Sequence, residues 1–137
     1  MTPVFQTRLG VGGNCFQACV ASVLNLALDD VPDFCNLYKD NWWNMFVDWL
    51  LMRGYTAVLV DARGKKYADW FGPGSVAIVT GESPRNSDLD HSIVVYCTNT
   101  GRKKHHDPAP CGGGISGPAK DIIFILPFVY GSSRPVM

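Results

Sequence analysis

Apolar residues recur with a helical period in the first part of the chain. The apolar segment 18–28 directly follows Asn14 and Cys15, so its spacing predicts a first helix that starts at Cys15 and ends near residues 27–28. Asn14 belongs to the residue types that favour the N-cap position, and it is expected to cap this helix. Residues 41–52 place apolar side chains mostly three and four positions apart, which predicts a second, tryptophan-rich helix beside the first.

The rest of the chain consists of short β-branched and apolar runs separated by polar, glycine-rich and proline-rich stretches. Residues 99–101 are typical of a hairpin turn, and residues 108–118, with four glycines and three prolines, predict a loop. Pro127 predicts that the last strand lies at a sheet edge or ends early, and residues 131–137 predict a loose tail. Helices followed by antiparallel strands indicate an α+β domain. The predicted strands are residues 56–61, 75–80, 91–97, 103–107 and 121–129.

Composition narrows the class of protein. A chain of 137 residues predicts one domain, and 47% hydrophobic residues are typical of a soluble globular protein. The 12 basic and 12 acidic side chains balance, so electrostatic binding of nucleic acid is not expected. The chain start lacks the features of a signal peptide, and no apolar run reaches the roughly 18 residues of a membrane span. The five cysteines are therefore expected to be reduced thiols in the cytoplasm.

Cys15 is the candidate nucleophile. It follows a glycine-rich run, residues 10–13, and opens the first predicted helix. A helix N-terminus carries roughly half a positive charge, which favours a thiolate there. A free thiol is only a few per cent ionised at neutral pH, so a catalytic cysteine also needs a base. Cys19, one turn later, is expected to be a small buried hydrophobic residue instead.

His91 is the best candidate for that base, because it opens a predicted strand directly after a polar loop. A hairpin turn centred on Asn99 would place Asp107 opposite His91. A turn centred on Thr100 would move Asp107 one diagonal step away, about 7–8 Å between Cα atoms. In both registers Asp107 shares the sheet face of His91 and lies within reach of a hydrogen bond. Asp107 is therefore predicted to orient His91.

Acyl transfer also needs N–H donors directed at the developing oxyanion. The backbone N–H of Cys15 is one candidate, because it lies at the start of a helix. Gln6, upstream across the glycine-rich run, can supply a side-chain donor, and Gln17 is an alternative source.

These residues form a pattern that is similar to a known family. Gln6, followed by the glycine-rich run into Gly-Asn-Cys at residues 13–15, resembles the front half of papain-like cysteine peptidases. The strand His-Ser-Ile-Val-Val-Tyr at residues 91–96, followed by His-Asp-Pro at residues 106–108, resembles their compact bacterial branch. That branch includes the leader peptidase domains of bacteriocin exporters, and the chain is also similar to small bacterial and phage proteins of this fold. The matching motifs span residues 6–108.

The resemblance implies one papain-like α+β domain over residues 1–137, with an N-terminal nucleophile helix packed on an antiparallel sheet. It implies a cysteine-dependent amide or peptide hydrolase that forms an acyl-thioester and needs no cofactor or metal. Its substrate would be a peptide or protein. In the family the matching residues have these roles: Cys15 attacks, His91 is the base, Asp107 orients His91, and Gln6 helps to hold the oxyanion.

Three other interpretations of the same residues stay open. An acyltransferase, deamidase or transglutaminase on this scaffold would use the same thioester chemistry. A papain-fold binding protein would keep the triad only for structure. The third alternative is a zinc site, although the chain lacks the short paired spacing typical of one; its ligands would be Cys15, His91, His106 and Asp107. In the favoured interpretation His105 and His106 are solvated residues at a strand end.

Overall fold

A computed structural model describes residues 1–128, except the side chain of Ala68. Three α-helices precede five strands, so the predicted α+β order is confirmed. The predicted tail, residues 131–137, and the predicted strand end at residue 129 lie outside the described residues. Within residues 1–128 no helix combines the length and the apolar character needed to cross a membrane. The elements are α1 Cys15–Leu24, α2 Phe34–Tyr38, α3 Trp42–Met52, β1 Tyr55–Asp61, β2 Val76–Glu82, β3 Asp90–Cys97, β4 Lys103–His106 and β5 Ser116–Pro127.

The five strands form one antiparallel sheet in the order β1-β5-β2-β3-β4. Because β5 pairs with β1 and β2, the edge position predicted from Pro127 is wrong, whereas the early end at Pro127 is confirmed. The predicted loop at residues 108–118 is too long, since β5 begins at Ser116. Pro118 fits inside the strand because the pairing with β2 skips from Ala119 to Ser116. No ladder hydrogen bond is lost at a position where the ladder is already interrupted.

The helix α1 packs on one face of the sheet, mainly against β3. Its apolar side chains join Phe46 and Leu50 of α3 and the sheet residues Ile78, Val94 and Ile123 in one buried cluster. Fully burying a side chain of this size contributes roughly 1.5–3 kcal/mol relative to leaving it exposed. This cluster therefore holds the start of α1 in a defined place beside the sheet.

A second cluster covers the opposite face of the sheet. It contains Ile93, Val95 and Ile122, with Phe71 packed over them. Side chains alternate along a strand, so the face of Ile93 also carries His91.

The first helix is shorter than predicted. It ends at Leu24 because Asn25 adopts a left-handed conformation (φ 57°), and the Asn25 N–H donates to a carbonyl of the last turn. Asn14 occupies the predicted N-cap position, but its side chain makes no capping hydrogen bond. The hydrophobic pattern also missed α2, since five residues are too few to show a period.

The predicted second helix is confirmed as α3, which begins at Trp42 and ends at Met52. The ring of Phe16 in α1 lies edge-on to Phe46 and Trp42, with centroid distances of 5.1 and 5.3 Å. These aromatic contacts place α3 beside α1, and they fix the direction in which the first turn of α1 points.

Candidate active site

The start of β3 forms the centre of the site. The β3–β4 ladder pairs Val94 with His106 and Cys97 with Lys103, which places the hairpin turn at Thr100. Asp107 therefore follows β4 one diagonal step from His91, the second of the two registers considered above. Because β4 pairs with no residue of β3 before Val94, the first residues of β3 form an open sheet edge. Groups from both faces of the sheet can meet around this edge.

His91 and Asp107 form a buried pair at this edge. His91 Nε2 lies 2.7 Å from Asp107 Oδ1, and the side chains are 3% and 9% exposed. Asp107 also accepts two backbone N–H groups from the glycine-rich loop between β4 and β5. Ala109 N–H donates to Oδ1 (2.9 Å), and Gly114 N–H donates to Oδ2 (2.6 Å). Three donors thus hold one carboxylate, and the loop that supplies two of them wraps around it.

These donors decide the ionisation of Asp107. Burial raises the pKa of a carboxyl group, but the hydrogen bonds from His91, Ala109 and Gly114 favour the charged form. Their sum is larger, so the pKa of Asp107 lies below its ordinary value. Asp107 is consequently an anion at neutral pH and accepts the N–H of His91 Nε2. The other ring nitrogen, Nδ1, then carries the lone pair.

Cys15 lies at the first turn of α1, as predicted, but its thiol is not activated by this position alone. Burial raises the pKa of the Cys15 thiol. Hydrogen-bonding groups of Ser92 and the backbone N–H groups of Phe16 and Cys15 itself act in the opposite direction, and they do not overcome the burial. The N–H groups at the helix start favour the thiolate, as expected, but desolvation of the thiol outweighs them.

The thiol faces Ser92 rather than His91. Ser92 is buried on the α1 face of β3, and its hydroxyl is also hydrogen-bonded to Thr80 (2.8 Å). Within residues 1–128 no hydrogen bond joins Cys15 to His91, whose side chain starts from the other face. Both residues nevertheless line one cavity of about 450 Å³, which opens at the sheet edge. A second cavity of about 280 Å³ lies on the other side of Cys15 and is bordered by Trp42.

Asn14 connects the chain start to the first turn of α1. Its Oδ1 accepts the backbone N–H groups of Thr7 (3.0 Å) and Arg8 (2.9 Å), and its Nδ2 donates to Thr7 Oγ1 (3.0 Å). These bonds explain why Asn14 does not cap the helix. They hold the segment after Gln6 against the residue that precedes Cys15.

Gln6 is thereby placed in the same cavity as Cys15 and His91. Its backbone N–H donates to the carbonyl of Pro108 (2.9 Å), next to Asp107. The buried side chain donates from Nε2 to the carbonyl of Arg8 (2.8 Å), which leaves the second Nε2 hydrogen available. Gln6 Oε1 is buried and has no hydrogen-bond partner within residues 1–128.

The alternative donor, Gln17, is directed elsewhere. Its Nε2 donates to the carbonyls of Leu28 (3.1 Å) and Val31 (2.8 Å), so both amide hydrogens are used. Gln17 stabilises the turn after α1 and cannot serve an oxyanion at Cys15.

Gly13 lets the chain double back between Gln6 and Cys15. Its N–H donates to the carbonyl of Gly10 (2.9 Å). A Cβ at position 13 would lie 2.9 Å from that carbonyl oxygen and 3.1 Å from the oxygen of Arg8. Both neighbours are backbone atoms, so only glycine fits without moving the loop.

The histidines of β4 do not enter the cavity. His106 is half-buried, with Nε2 2.8 Å from the carbonyl oxygen of Val4 and its ring edge-on to Phe5, so its predicted solvation is wrong. His105 is exposed, as predicted. The predicted zinc alternative needed His106 together with Cys15. The described residues contain no group of three or more His, Cys, Asp or Glu side chains that could hold a metal ion.

Sequence reasoning missed three residues of this site: Asn14 in its actual role, Ser92 and Arg85. Arg85, in the loop between β2 and β3, places Nη2 3.5 Å from His91 Nδ1. The alternation along β3 could have pointed to Ser92, because a residue next to His91 must face α1. No signal in the pattern of polar residues distinguishes Arg85 from other loop cations.

Comparisons with protein-family models, with curated proteins and with solved structures gave no match to this chain.

Proposed function

We propose that this chain is a papain-like, cysteine-dependent amide or peptide hydrolase. Cys15 is the nucleophile, His91 is the base and later the acid, and Asp107 orients His91. The oxyanion donors are the Gln6 side chain and the backbone N–H of Cys15. The observation that carries the proposal is the buried 2.7 Å bond between His91 Nε2 and Asp107, with His91, Cys15 and Gln6 around one cavity.

The bond to Asp107 supports the role of His91 as a base. Because Asp107 is an anion, it accepts from Nε2 and leaves Nδ1 as the proton acceptor at the cavity. It also stabilises the imidazolium that forms when Nδ1 takes a proton. In this way one carboxylate selects both the tautomer and the direction of the ring.

The reaction begins from a protonated thiol, since burial raises the pKa of Cys15. The thiol turns from Ser92 toward the cavity, and Nδ1 of His91 removes its proton. The resulting thiolate forms a bond to the carbonyl carbon of the substrate amide. The carbonyl oxygen becomes an oxyanion, which the free Nε2–H of Gln6 and the N–H of Cys15 stabilise.

The tetrahedral intermediate then collapses. His91 Nδ1 gives its proton to the leaving nitrogen as the carbon–nitrogen bond breaks, and the acyl group stays on Cys15 as a thioester. Water, deprotonated by Nδ1, attacks the thioester carbon. The carbon–sulfur bond breaks, the acid is released, and the thiolate regains the proton.

The arrangement of elements agrees with this proposal. A papain-like domain carries its nucleophile at the start of a helix packed on an antiparallel sheet, with the base on a strand of that sheet. Here α1 packs on the sheet, Cys15 is its first residue, and His91 is the second residue of β3.

A thiol-directed acyloxymethyl ketone probe tests the proposal. We expect labelling of wild-type protein at Cys15, its loss in Cys15→Ser, and a strong reduction in His91→Ala. His105→Ala is the matched control, because this exposed histidine lies outside the cavity, and its labelling should equal wild type. Absence of labelling at Cys15, or equal labelling in His91→Ala, would reject the mechanism and favour a binding protein without activity.

A further inference from the structure

Arg85 reaches from the loop between β2 and β3 to the Nδ1 side of His91. Its Nη1 donates to the carbonyl of Gly112 (3.0 Å) and contacts Cys111 Sγ at 3.6 Å. Its Nη2 lies 3.5 Å from His91 Nδ1, at the long limit of hydrogen bonding. The guanidinium is thus held at the nitrogen that exchanges protons in the reaction.

Among the described residues, no carboxylate neutralises the charge of Arg85. Within residues 1–128 no Asp or Glu carboxylate lies at ion-pair distance from it. Asp90, the carboxylate that also borders the cavity, is paired with Lys120 Nζ at 2.7 Å. Among the described residues around the cavity, Arg85 is the only Lys or Arg.

The guanidinium also has N–H donors that the described residues do not use. Its three contacts use three of the five N–H groups of an arginine side chain. The Nε–H group and one Nη2–H group have no acceptor in the described part of the chain. Donors of this kind are suited to a carboxylate, which arginine binds with paired hydrogen bonds.

The position beside Nδ1 identifies which part of a substrate Arg85 would meet. Nδ1 protonates the leaving nitrogen, so that nitrogen comes within about 3 Å of it during the reaction. If the leaving group is an amino acid, the carbon of its α-carboxylate lies about 2.5 Å from the same nitrogen. A carboxylate on the leaving amine therefore arrives beside the guanidinium of Arg85.

We propose that Arg85 is a specificity residue that binds a carboxylate on the leaving amine of the substrate. This inference rests on the hydrolase function proposed above. It assigns as substrates amides whose leaving group carries a carboxylate close to the nitrogen. The carboxylate is supplied by a free C-terminal residue or by an acidic side chain directly after the cleaved bond.

The same contact links binding to chemistry. Without a carboxylate, Arg85 Nη2 lies at the lone pair of Nδ1, with which His91 must accept the proton. A bound carboxylate neutralises this cation and attracts Nη2 away from Nδ1. Nδ1 is then free to take the proton of Cys15 when the proper substrate is in place.

Paired alkylating reagents test the proposal without a known substrate. Iodoacetate and iodoacetamide differ by one negative charge and react with the same thiol. The rates of Cys15 modification are measured by peptide mapping, and the ratio of the two rates is compared with that of free N-acetylcysteine. The variants are Arg85→Gln and Arg85→Lys, with Arg102→Gln in the β3–β4 turn as the matched control.

We expect wild type to favour iodoacetate over iodoacetamide by about tenfold or more relative to N-acetylcysteine, since a charge-assisted pair contributes about 1.5–3 kcal/mol. The preference should disappear in Arg85→Gln, persist in part in Arg85→Lys and be unchanged in Arg102→Gln. It should also weaken with added salt. An unchanged ratio in Arg85→Gln would overturn the proposal, although neutral alkylation of Cys15 would leave the hydrolase function standing. A Cys15 that reacts with neither reagent would overturn both.

Two soluble probes separate the sources of the carboxylate. N-benzoylglycine carries an α-carboxylate, and N-benzoylaspartate α-amide carries one on the side chain. Protection of Cys15 from iodoacetamide by the first would indicate a free C-terminal residue, and protection by the second an acidic residue after the cleaved bond. N-benzoylglycine amide, which lacks the charge, is the control. Protection by the neutral amide as strong as by both acids would contradict a role for the carboxylate.

Discussion

The two acidic groups of the site, Asp107 and Cys15, are both desolvated by burial, but their pKa values are shifted in opposite directions. Burial raises the pKa of both, yet the pKa of Asp107 ends below its ordinary value and that of Cys15 above it. Asp107 accepts three strong hydrogen bonds of 2.6 to 2.9 Å from groups directed at its two oxygens. Sulfur is a weak acceptor, and the N–H groups near Cys15 cannot replace the water it has lost.

This difference shows how charge is divided in the site. Asp107 is already an anion and is fixed by the glycine-rich loop between β4 and β5, so it can orient His91 before any substrate binds. The thiol of Cys15 is neutral at rest, because burial raises its pKa. A neutral resting thiol is less easily oxidised than a thiolate. The site therefore combines a fixed anion with a neutral thiol, which in the proposed mechanism ionises only when His91 removes its proton.

The largest effect is expected at the thiol side. Cys15→Ala should lower the burst and turnover of p-nitrophenyl acetate by about 10⁴-fold or more, because no acyl-thioester can form. The free energy of unfolding in urea should change by less than about 1 kcal/mol, since the half-buried thiol makes few strong contacts. A variant that keeps its activity while the fold is intact would show that Cys15 is not the nucleophile.

Gln6→Ala tests a residue that is linked to both Cys15 and Asp107. Gln6 borders the same cavity as Cys15, and its backbone N–H donates to Pro108, next to Asp107. Loss of one oxyanion donor should reduce turnover of the same ester by about 10²–10³-fold. Gln17→Ala is the matched control: it should lower the free energy of unfolding by removing two hydrogen bonds to backbone carbonyls, and leave turnover close to wild type. Equal losses of turnover in the two variants would contradict a donor role for Gln6.

Asp107→Asn tests whether the charge of Asp107 stabilises the protein, through the dependence of the free energy of unfolding on pH. The pKa of Asp107 is lowered in the folded state, so its stabilisation is complete above the ordinary value of about 3.9 and is lost as the pH falls through the lower folded value. At pH 7 the variant should lose about 1–3 kcal/mol of unfolding free energy, because an amide nitrogen would face a backbone N–H.

This deficit should narrow as the pH falls below about 4, because the unfolded wild type then takes up a proton, and the folded carboxylate is protonated at still lower pH. Urea titrations between pH 3 and pH 7 measure it. The exposed Asp40, changed to Asn, provides the control and should show no comparable deficit at pH 7. A deficit of constant size across this range would mean that the charge of Asp107 is not what stabilises the loop.

A loss of stability of similar size is expected at Gly13, in the loop that connects Gln6 to Cys15. Gly13→Ala should destabilise the protein by about 1–3 kcal/mol, because the new Cβ meets two backbone oxygens and the loop must move. Gly72→Ala is the control, since a Cβ there meets nothing within 4 Å. Thermal unfolding compares the two variants. Similar unfolding temperatures would show that the loop accommodates the methyl group without strain.

Local signals in the sequence were sufficient for much of this molecule. The apolar period predicted α1 and α3, and the alternation and turn residues predicted the strands with errors mainly at their ends. The hairpin signal limited Asp107 to two registers, both on the face of His91. These features depend on neighbours within a few residues, which is why a pattern can predict them.

Other features depend on groups that are distant in the chain. Asn14 makes no capping hydrogen bond because its side chain instead accepts from Thr7 and Arg8. The interior position of β5 follows from its pairing with β1, 60 or more residues away along the chain. The raised pKa of Cys15 also depends on packing, because the N-terminal charge of α1 is a local property, whereas burial against β3 is not.

By itself, therefore, the sequence determined the candidate residues of the proposed site, namely Cys15, His91, Asp107 and Gln6, and the elements on or beside which they lie. Only the tertiary structure decided how they meet: around the open edge of β3, with the thiol against Ser92 and Arg85 beside His91. The reason is physical. Side-chain periodicity is set along the chain, while solvent exclusion and long-range hydrogen bonds exist only after packing.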